Sequence, residues 1–395
     1  MKNISKRIPE GMRDILFSDL EAKRGLERRL SDFFKSRGFS EISTPTLEYY
    51  DAFTSGDADL PQESLYKLVD NSGKLLVIRP DSTVPAARIA ATKLHNSMLP
   101  LRFCYNQSTF VIKPTERGKL NEITQAGIEM IGASGIKADI ECLVTAAKAL
   151  STCFDGTFRI ELGHVGFFKA IVQSVTDDEA VIESIRTLIE QKNFAALNDI
   201  LAEIEQSACE TVKRGCAALR RLPQLFGDRS VLSEAKLLIE NKDASEALDY
   251  LSKLYDKLTS MGMSELFTFD LGLVTRIDYY TGIIFRGYIS TVGGEIMSGG
   301  RYDGLLSQFC DKDIEAIGFA IDIDAVCEIL VKDSEPDICP PDYLIFYEEG
   351  NEAKAYTEAD RLTARGKTVE MAVFDTLEQA EAYAASKGIK KVTTV

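Results

Sequence analysis

Histidine is scarce in this 395-residue chain, which holds only His95 and His164. Two imidazoles supply a Ser-His-Asp triad or a His/Cys metal site poorly, so no metal ion is expected and each histidine reads as structural. The eight cysteines (Cys104, Cys142, Cys153, Cys209, Cys216, Cys310, Cys327 and Cys339) contain no C-x-x-C pair. That usage fits reduced, cytoplasmic thiols serving as small core residues. No apolar run reaches the roughly 18 residues of a membrane span. The opening MKNISKRIPEGMRDIL has early basic residues but no apolar stretch, so neither a membrane partner nor a signal peptide is expected. Basic charge is also in deficit, with 46 Lys and Arg against 61 Asp and Glu for a net −15. A chain that neutralises phosphates is basic at least locally. The short clusters at 35–37 and 213–215 read as solvated helix ends, so no nucleic-acid partner is expected.

The length gives room for two or three domains. A helix is expected over 18–37, ended by Gly38, with Ser18 and Glu21 as a capping box. FSEISTPTLEYY reads as a strand broken by Pro45, and the residues around Asn71-Ser72-Gly73 as a hairpin. A helix fits 82–94. Two strands then flank a polar loop between PLRFCYNQSTFVI and LNEITQAGIEMIG, a helix covers 137–151, and TFRIELGHVGFF reads as a further strand. Helical patterns dominate 169–262. Strand-like, glycine-rich sequence returns over 265–325, and Pro336, Pro340 and Pro341 mark a linker. The last 342–395 read strand, helix, strand, helix, strand, a small α/β tail. The expected division is a core of 1–168 and 263–330, a helical insertion of 169–262 and the tail of 342–395.

Four short segments carry polar groups suited to a ligand. On the strand at 123–131, Gln125, Gly127 and Glu129 share one face. An amide and a carboxylate there offer acceptors for an ammonium group, and a glycine lets a ligand approach the backbone. By itself this pattern fits the solvent-facing edge of an antiparallel sheet equally well. RPDST at 79–83 adds Asp81 and Thr83 at a helix start, where an ordinary N-cap explains them too. DYYTG at 278–282 and GGRYDG at 299–304 bring Tyr280 and Tyr302 between glycines, phenols that can orient and enclose a polar ring.

Taken in order, RPDST, QAGIE, LVTRIDYYTG, SGGRYDG and AIGFAIDIDAV, with PEGMRDIL at 9–16, resemble the class II histidyl-tRNA synthetase family over residues 8 to 328. The resemblance implies an α+β fold: a class II aminoacyl-tRNA synthetase-like antiparallel sheet flanked by helices, with a helical insertion and a small C-terminal α/β domain. It also implies a histidine pocket. Asp81, Thr83, Gln125 and Glu129 would surround the α-amino group, and Tyr280 and Tyr302 the imidazole. Asp81 stands where the family has a glutamate.

The chain departs from that family where ATP is handled. Val111 follows Phe110 in place of an arginine, and Lys113 replaces a glutamate. Ala325 replaces the arginine of the third motif, with Asp322 and Asp324 beside it. Thr275-Arg276 replaces arginine-glycine. Adenylate formation depends on fixed positive charge around a phosphate, and losing one such donor costs about 3–4 kcal/mol of barrier. The two aspartates are expected to repel phosphates, and the tail is about half the length of the family's anticodon-binding domain. No catalytic residue and no cofactor is expected.

A synthetase-like chain so altered resembles the regulatory-subunit family of ATP phosphoribosyltransferase. That resemblance implies self-association as a dimer, a hetero-octamer with a short-form catalytic subunit, and histidine as allosteric ligand in histidine biosynthesis. An active synthetase and another non-catalytic histidine sensor stand as the alternatives.

Overall fold

The computed structural model describes residues 6–54, 60–112, 120–153, 156–206, 209–238, 240–274, 279–289, 294–330 and 339–395. Helix α1 (Phe17–Ser36) leads into β1 (Ser40–Glu41) and β2 (Leu47–Tyr49) on either side of Pro45. Strands β3 (Lys67–Val69) and β4 (Leu75–Ile78) form the expected hairpin. Its turn is held by Asp70 Oδ1, which accepts the Ser72 and Lys74 N–H groups. Next come α2 (Thr83–Thr92), β5 (Leu101–Phe110), β6 (Glu122–Ile131), α3 (Gly135–Cys153) and β7 (Phe158–His164). Helices α4 (Val165–Gln173), α5 (Glu179–Glu190), α6 (Phe194–Glu205) and α7 (Glu210–Arg221) precede the short β8 (Phe226–Gly227), and α8 (Ser230–Leu238) and α9 (Lys242–Ser260) follow. Then come β9 (Phe267–Asp270), β10 (Ile283–Ile289), β11 (Glu295–Arg301), β12 (Ala316–Asp322) and α10 (Ile323–Leu330).

Nine strands form one sheet in the order β1-β5-β6-β12-β11-β10-β7-β9-β8, antiparallel except where β1 meets β5 and β7 meets β9. The pairing is set by chemistry that alternates along each strand. Ala126, Ile128 and Met130 of β6 face a continuous apolar core with Leu26, Leu30 and Phe34 of α1, Leu143 of α3 and Leu251 of α9. Each fully buried leucine contributes about 1.5–3 kcal/mol by leaving water. Gln125, Gly127 and Glu129 face the other way, and β6 lies inside the sheet between β5 and β12. The solvent-edge explanation of their polarity is therefore wrong. Over this front face a second cluster gathers Phe53, Val84, Phe103, Tyr279, Tyr280, Tyr302 and Leu305.

Two local expectations need correction. Helix α1 begins at Phe17, so Ser18 lies in its first turn rather than at an N-cap. VGFF belongs to α4 and not to a strand. His164 ends β7 and caps that helix, its Nδ1 accepting the Gly166 N–H at 3.1 Å. Burial pushes its imidazole down to about 4, so it stays neutral as an acceptor. The helices of 169–262 share the apolar core of the sheet.

Contacts divide the chain into two compact units, Met1–Asp14 with Ala22–Lys332, and Ile15–Glu21 with Asp333–Val395. In the second, β13 (Tyr343–Phe346), α11 (Glu352–Thr363), β14 (Val369–Met371), α12 (Leu377–Lys387) and β15 (Val392–Thr394) form a parallel sheet in the order β14-β13-β15. The expected alternation of strands and helices is present. Buried Leu344, Phe346, Ala380 and Ala384 pack its α12 side.

Candidate functional site

Four adjoining strands, β5, β6, β12 and β11, set the floor of the site. In the sheet register Glu129 stands opposite Gly318, which stands opposite Gly300, and Gly127 lies between Tyr105 and Ala320. Small residues at these places leave a trough in an otherwise filled sheet. The requirement is steric: a Cβ at position 318 would sit 1.8 Å from Glu129 Oε2, and one at 127 would meet Phe319 O at 2.3 Å.

Glu129 is 1% exposed, and three hydroxyls surround its carboxylate. Thr83 Oγ1 donates to Oε1 at 2.8 Å, Tyr105 donates to Oε1 at 3.1 Å, and Tyr302 donates to Oε2. Asp81 sits at the start of α2, where its Oδ1 accepts the Val84 N–H at 3.1 Å and its Oδ2 accepts the Tyr279 hydroxyl at 3.3 Å. Ser82 donates to Gln125 Oε1 at 3.4 Å. The Tyr279 ring lies 4.9 Å from Tyr280 and 5.6 Å from Tyr302. Asp81, Thr83, Gln125, Glu129, Tyr280 and Tyr302, drawn from distant segments, thus meet on one face. Sequence reasoning missed Tyr105, Tyr279 and Ser82. Alternation puts Tyr105 on one face of β5, but only the pairing of β5 with β6 sets it beside Gly127.

The site is electrostatically incomplete. Burial pushes the Glu129 carboxyl up to about 7, against the lowering effect of the Tyr302, Thr83 and Tyr105 hydroxyls, with the Asp81 charge adding to the rise. Burial likewise pushes Asp81 up to about 6, against the Val84 amide and the Tyr279 hydroxyl. Burial first, then the Glu129 charge, raises Tyr105 and Tyr302 well above their ordinary value, so both remain donors. Among the described residues no basic side chain pairs with either carboxylate. Two acids in low dielectric, supported only by neutral donors, favour an arriving cation that carries N–H groups.

The nucleotide side reads differently from the sequence-based expectation in one respect. Asp322 is on the front face opposite Gln125, and its Oδ1 accepts the Ala325 N–H at 2.9 Å at the start of α10. Asp324 instead turns away and is buried. Its Oδ1 receives Lys23 Nζ at 2.8 Å and Arg13 at 2.9 Å, and its Oδ2 accepts the Thr124 N–H at 2.6 Å. Burial works against its charge, but Lys23, the Thr124 amide and Arg13 hold it below the usual carboxylate range. Asp324 is a structural ion-pair centre and does not repel phosphate. Val111 and Ala325 bring no charge to the places they occupy, while Lys113, Thr275 and Arg276 lie outside the described residues. No group of His, Cys, Asp and Glu able to hold a metal ion occurs among the described residues. No described helix is long and apolar enough to cross a membrane.

Fold and pocket together define a class II histidyl-tRNA synthetase-like protein, and the histidyl-tRNA synthetase family model matches residues 11–326. The chain is 41% identical to an ATP phosphoribosyltransferase regulatory subunit of Clostridium kluyveri, over 99% of both chains. It is 40% identical to the Clostridium acetobutylicum protein of the same name, over 99% of this chain and 96% of that one. A Bacillus halodurans crystal structure, described as an ATP phosphoribosyltransferase regulatory subunit/histidyl-tRNA synthetase, superposes with a TM-score of 0.85 at 30% identity, covering 100% and 99% of the two chains. A histidyl-tRNA synthetase from a Nostoc species, 19% identical with a TM-score of 0.76 over 98% and 91% of the chains, shares the fold. The chain belongs to the family of ATP phosphoribosyltransferase regulatory subunits.

Proposed function

We propose that this chain performs no chemistry of its own, that it activates a short-form ATP phosphoribosyltransferase catalytic subunit, and that it makes the assembly responsive to histidine. The observation that carries the histidine part is a pair of carboxylates, the buried Glu129 and the half-buried Asp81, that lack a basic partner among the described residues. The α-ammonium of an amino acid supplies the missing charge, with Gln125 and Thr83 as further contacts and Tyr280 and Tyr302 enclosing the side chain. Val111 and Ala325 support the non-catalytic part, since neither can stabilise charge on a phosphate.

Regulation is then a linkage. Histidine that binds one conformation of the complex more tightly shifts the complex toward it, with a coupling of about 1–3 kcal/mol typical of such systems. Self-association as a dimer is part of the reading and has a candidate surface. The three-stranded sheet β2-β4-β3 exposes Leu47, Tyr49 and Leu68 on one face, and contiguous apolar surface of that kind favours a protein contact. A hetero-octamer with the catalytic subunit, a core of 1–168 and 263–330, an insertion of 169–262 and a tail domain of 342–395 complete the proposal.

The test is to mix the purified chain with a short-form catalytic subunit and measure turnover with and without histidine. The reading predicts activation by the chain and inhibition on adding histidine. Turnover unaffected by the chain overturns it.

A further inference from the structure

A cavity of about 480 Å³ lies on the same face of the sheet as the histidine pocket, beyond its β10 edge. Its floor comes from register: Arg286 of β10 stands opposite Glu161 of β7, which stands opposite Thr268 of β9, and Asp270 follows two residues on. Its outer wall is apolar and includes Phe194, Pro223 and Phe226.

Most polar groups at this floor are committed, and those that are not share a preference. Arg286 donates to Val274 O at 2.9 Å and pairs with Glu295 at 3.3 Å. Asp270 Oδ1 accepts the Gly272 N–H at 2.9 Å, which leaves its second oxygen. Glu161 has no hydrogen-bond or ion-pair partner among the described residues, and the Thr268 hydroxyl is buried without one. Burial, and then the Asp270 charge, pushes the Glu161 carboxyl up to about 7 against the nearby Arg286 and Lys192 charges, and burial raises Asp270 against the Gly272 amide and the same two cations. Lys192, at the end of α5, is the one uncommitted cation among the described residues lining the cavity.

We propose that this cavity is a second small-molecule site, taking an organic cation that carries a primary ammonium group on an apolar body. Glu161 and Asp270, both lining the cavity, present the acceptors that an ammonium satisfies. Phe194 and Phe226 offer aromatic faces, which attract cations as well as apolar surface. An anion finds no matching set, because Arg286 is already engaged and Lys192 shares the cavity with the Glu161, Glu190 and Asp270 carboxylates. This inference does not depend on the histidine reading.

The experiment is calorimetric titration of the full chain, above neutral pH, with phenethylamine and with phenylacetate, which share a ring and differ in charge. Phenethylamine is expected to bind and phenylacetate not to. Glu161→Gln and Asp270→Asn are each expected to weaken the amine about tenfold, the worth of one charge-assisted hydrogen bond, with melting temperatures reporting that each variant is folded. Because the front pocket also favours an ammonium, the amine titration is repeated in Glu129→Gln, where binding is expected to persist and to be weakened by Glu161→Gln and by Asp270→Asn. Absence of amine binding, equal binding of both probes, or an affinity lowered by Glu129→Gln but not by Glu161→Gln or Asp270→Asn would overturn the proposal.

Discussion

Two kinds of buried carboxylate occur within this one unit, and their surroundings differ. Asp139 on α3 is 0% exposed and is met by the Arg301 guanidinium, with the Tyr250 hydroxyl of α9 at 2.5 Å. Asp324 is met by Lys23 and Arg13. Buried Glu129 and its half-buried neighbour Asp81, on the front of the sheet, are met by hydroxyls and amides alone. A carboxylate that serves the fold is neutralised by the fold. One that waits for a ligand is left without a counter-charge, and isolated burial then disfavours its ionisation until the ligand arrives.

The largest effect should follow from breaking the first kind. Asp139→Ala leaves Arg301 buried, held by Asp303 at 3.2 Å and Ala133 O. Removing one partner of such a pair costs about 3 kcal/mol, so denaturant or thermal unfolding should show a clear loss of stability. An unchanged unfolding midpoint would place Asp139 outside the framework role. The same operation on the second kind should do the opposite. Glu129→Gln removes a charge that burial opposes, so the unfolding midpoint should hold. Histidine affinity should fall about ten- to a hundredfold, given 1.5–3 kcal/mol for a hydrogen bond to a charged group.

Proton linkage sharpens the contrast. With Asp81 near 6 and Glu129 near 7, the ligand-free fold holds protons that an ammonium ligand must expel. Both folded values lie above the unfolded ones, so these groups favour the folded state at low pH and lose that contribution as pH rises through 6 and 7. Histidine affinity should climb over the same window. The slope of log affinity against pH should fall by up to about one in Glu129→Gln, a comparison that cancels the ligand's own titrations. Equal slopes would mean that Glu129 is already ionised when the ligand arrives. The smallest effect is expected from Tyr302→Phe, which removes one of three hydroxyls from Glu129. A net hydrogen bond of about 0.5–1.5 kcal/mol corresponds to an affinity loss of about two- to tenfold, read by the same titration, and no loss would remove Tyr302 from the site.

The strands and helices of the core were legible because their periodicities are clean, as in β6 and α1. The meeting of Asp81, Glu129 and Tyr302 was legible only through family resemblance, since the residues are far apart in sequence and each motif alone has an ordinary explanation. Asp324 was misread for a related reason. Its neighbour Asp322 faces the pocket, and only the turn into α10 sends Asp324 toward Lys23. The role of Tyr105 depends on strand register, which one strand's pattern does not give. The second cavity was not legible at all, because it joins β7, β9 and β10 to helices whose packing no local pattern encodes.

The most direct trial of a pocket that binds without reacting is ATP–pyrophosphate exchange by the isolated chain in the presence of histidine. The account predicts no exchange above the background without protein. Histidine-dependent exchange, or recovery of histidyl-adenylate, would contradict it.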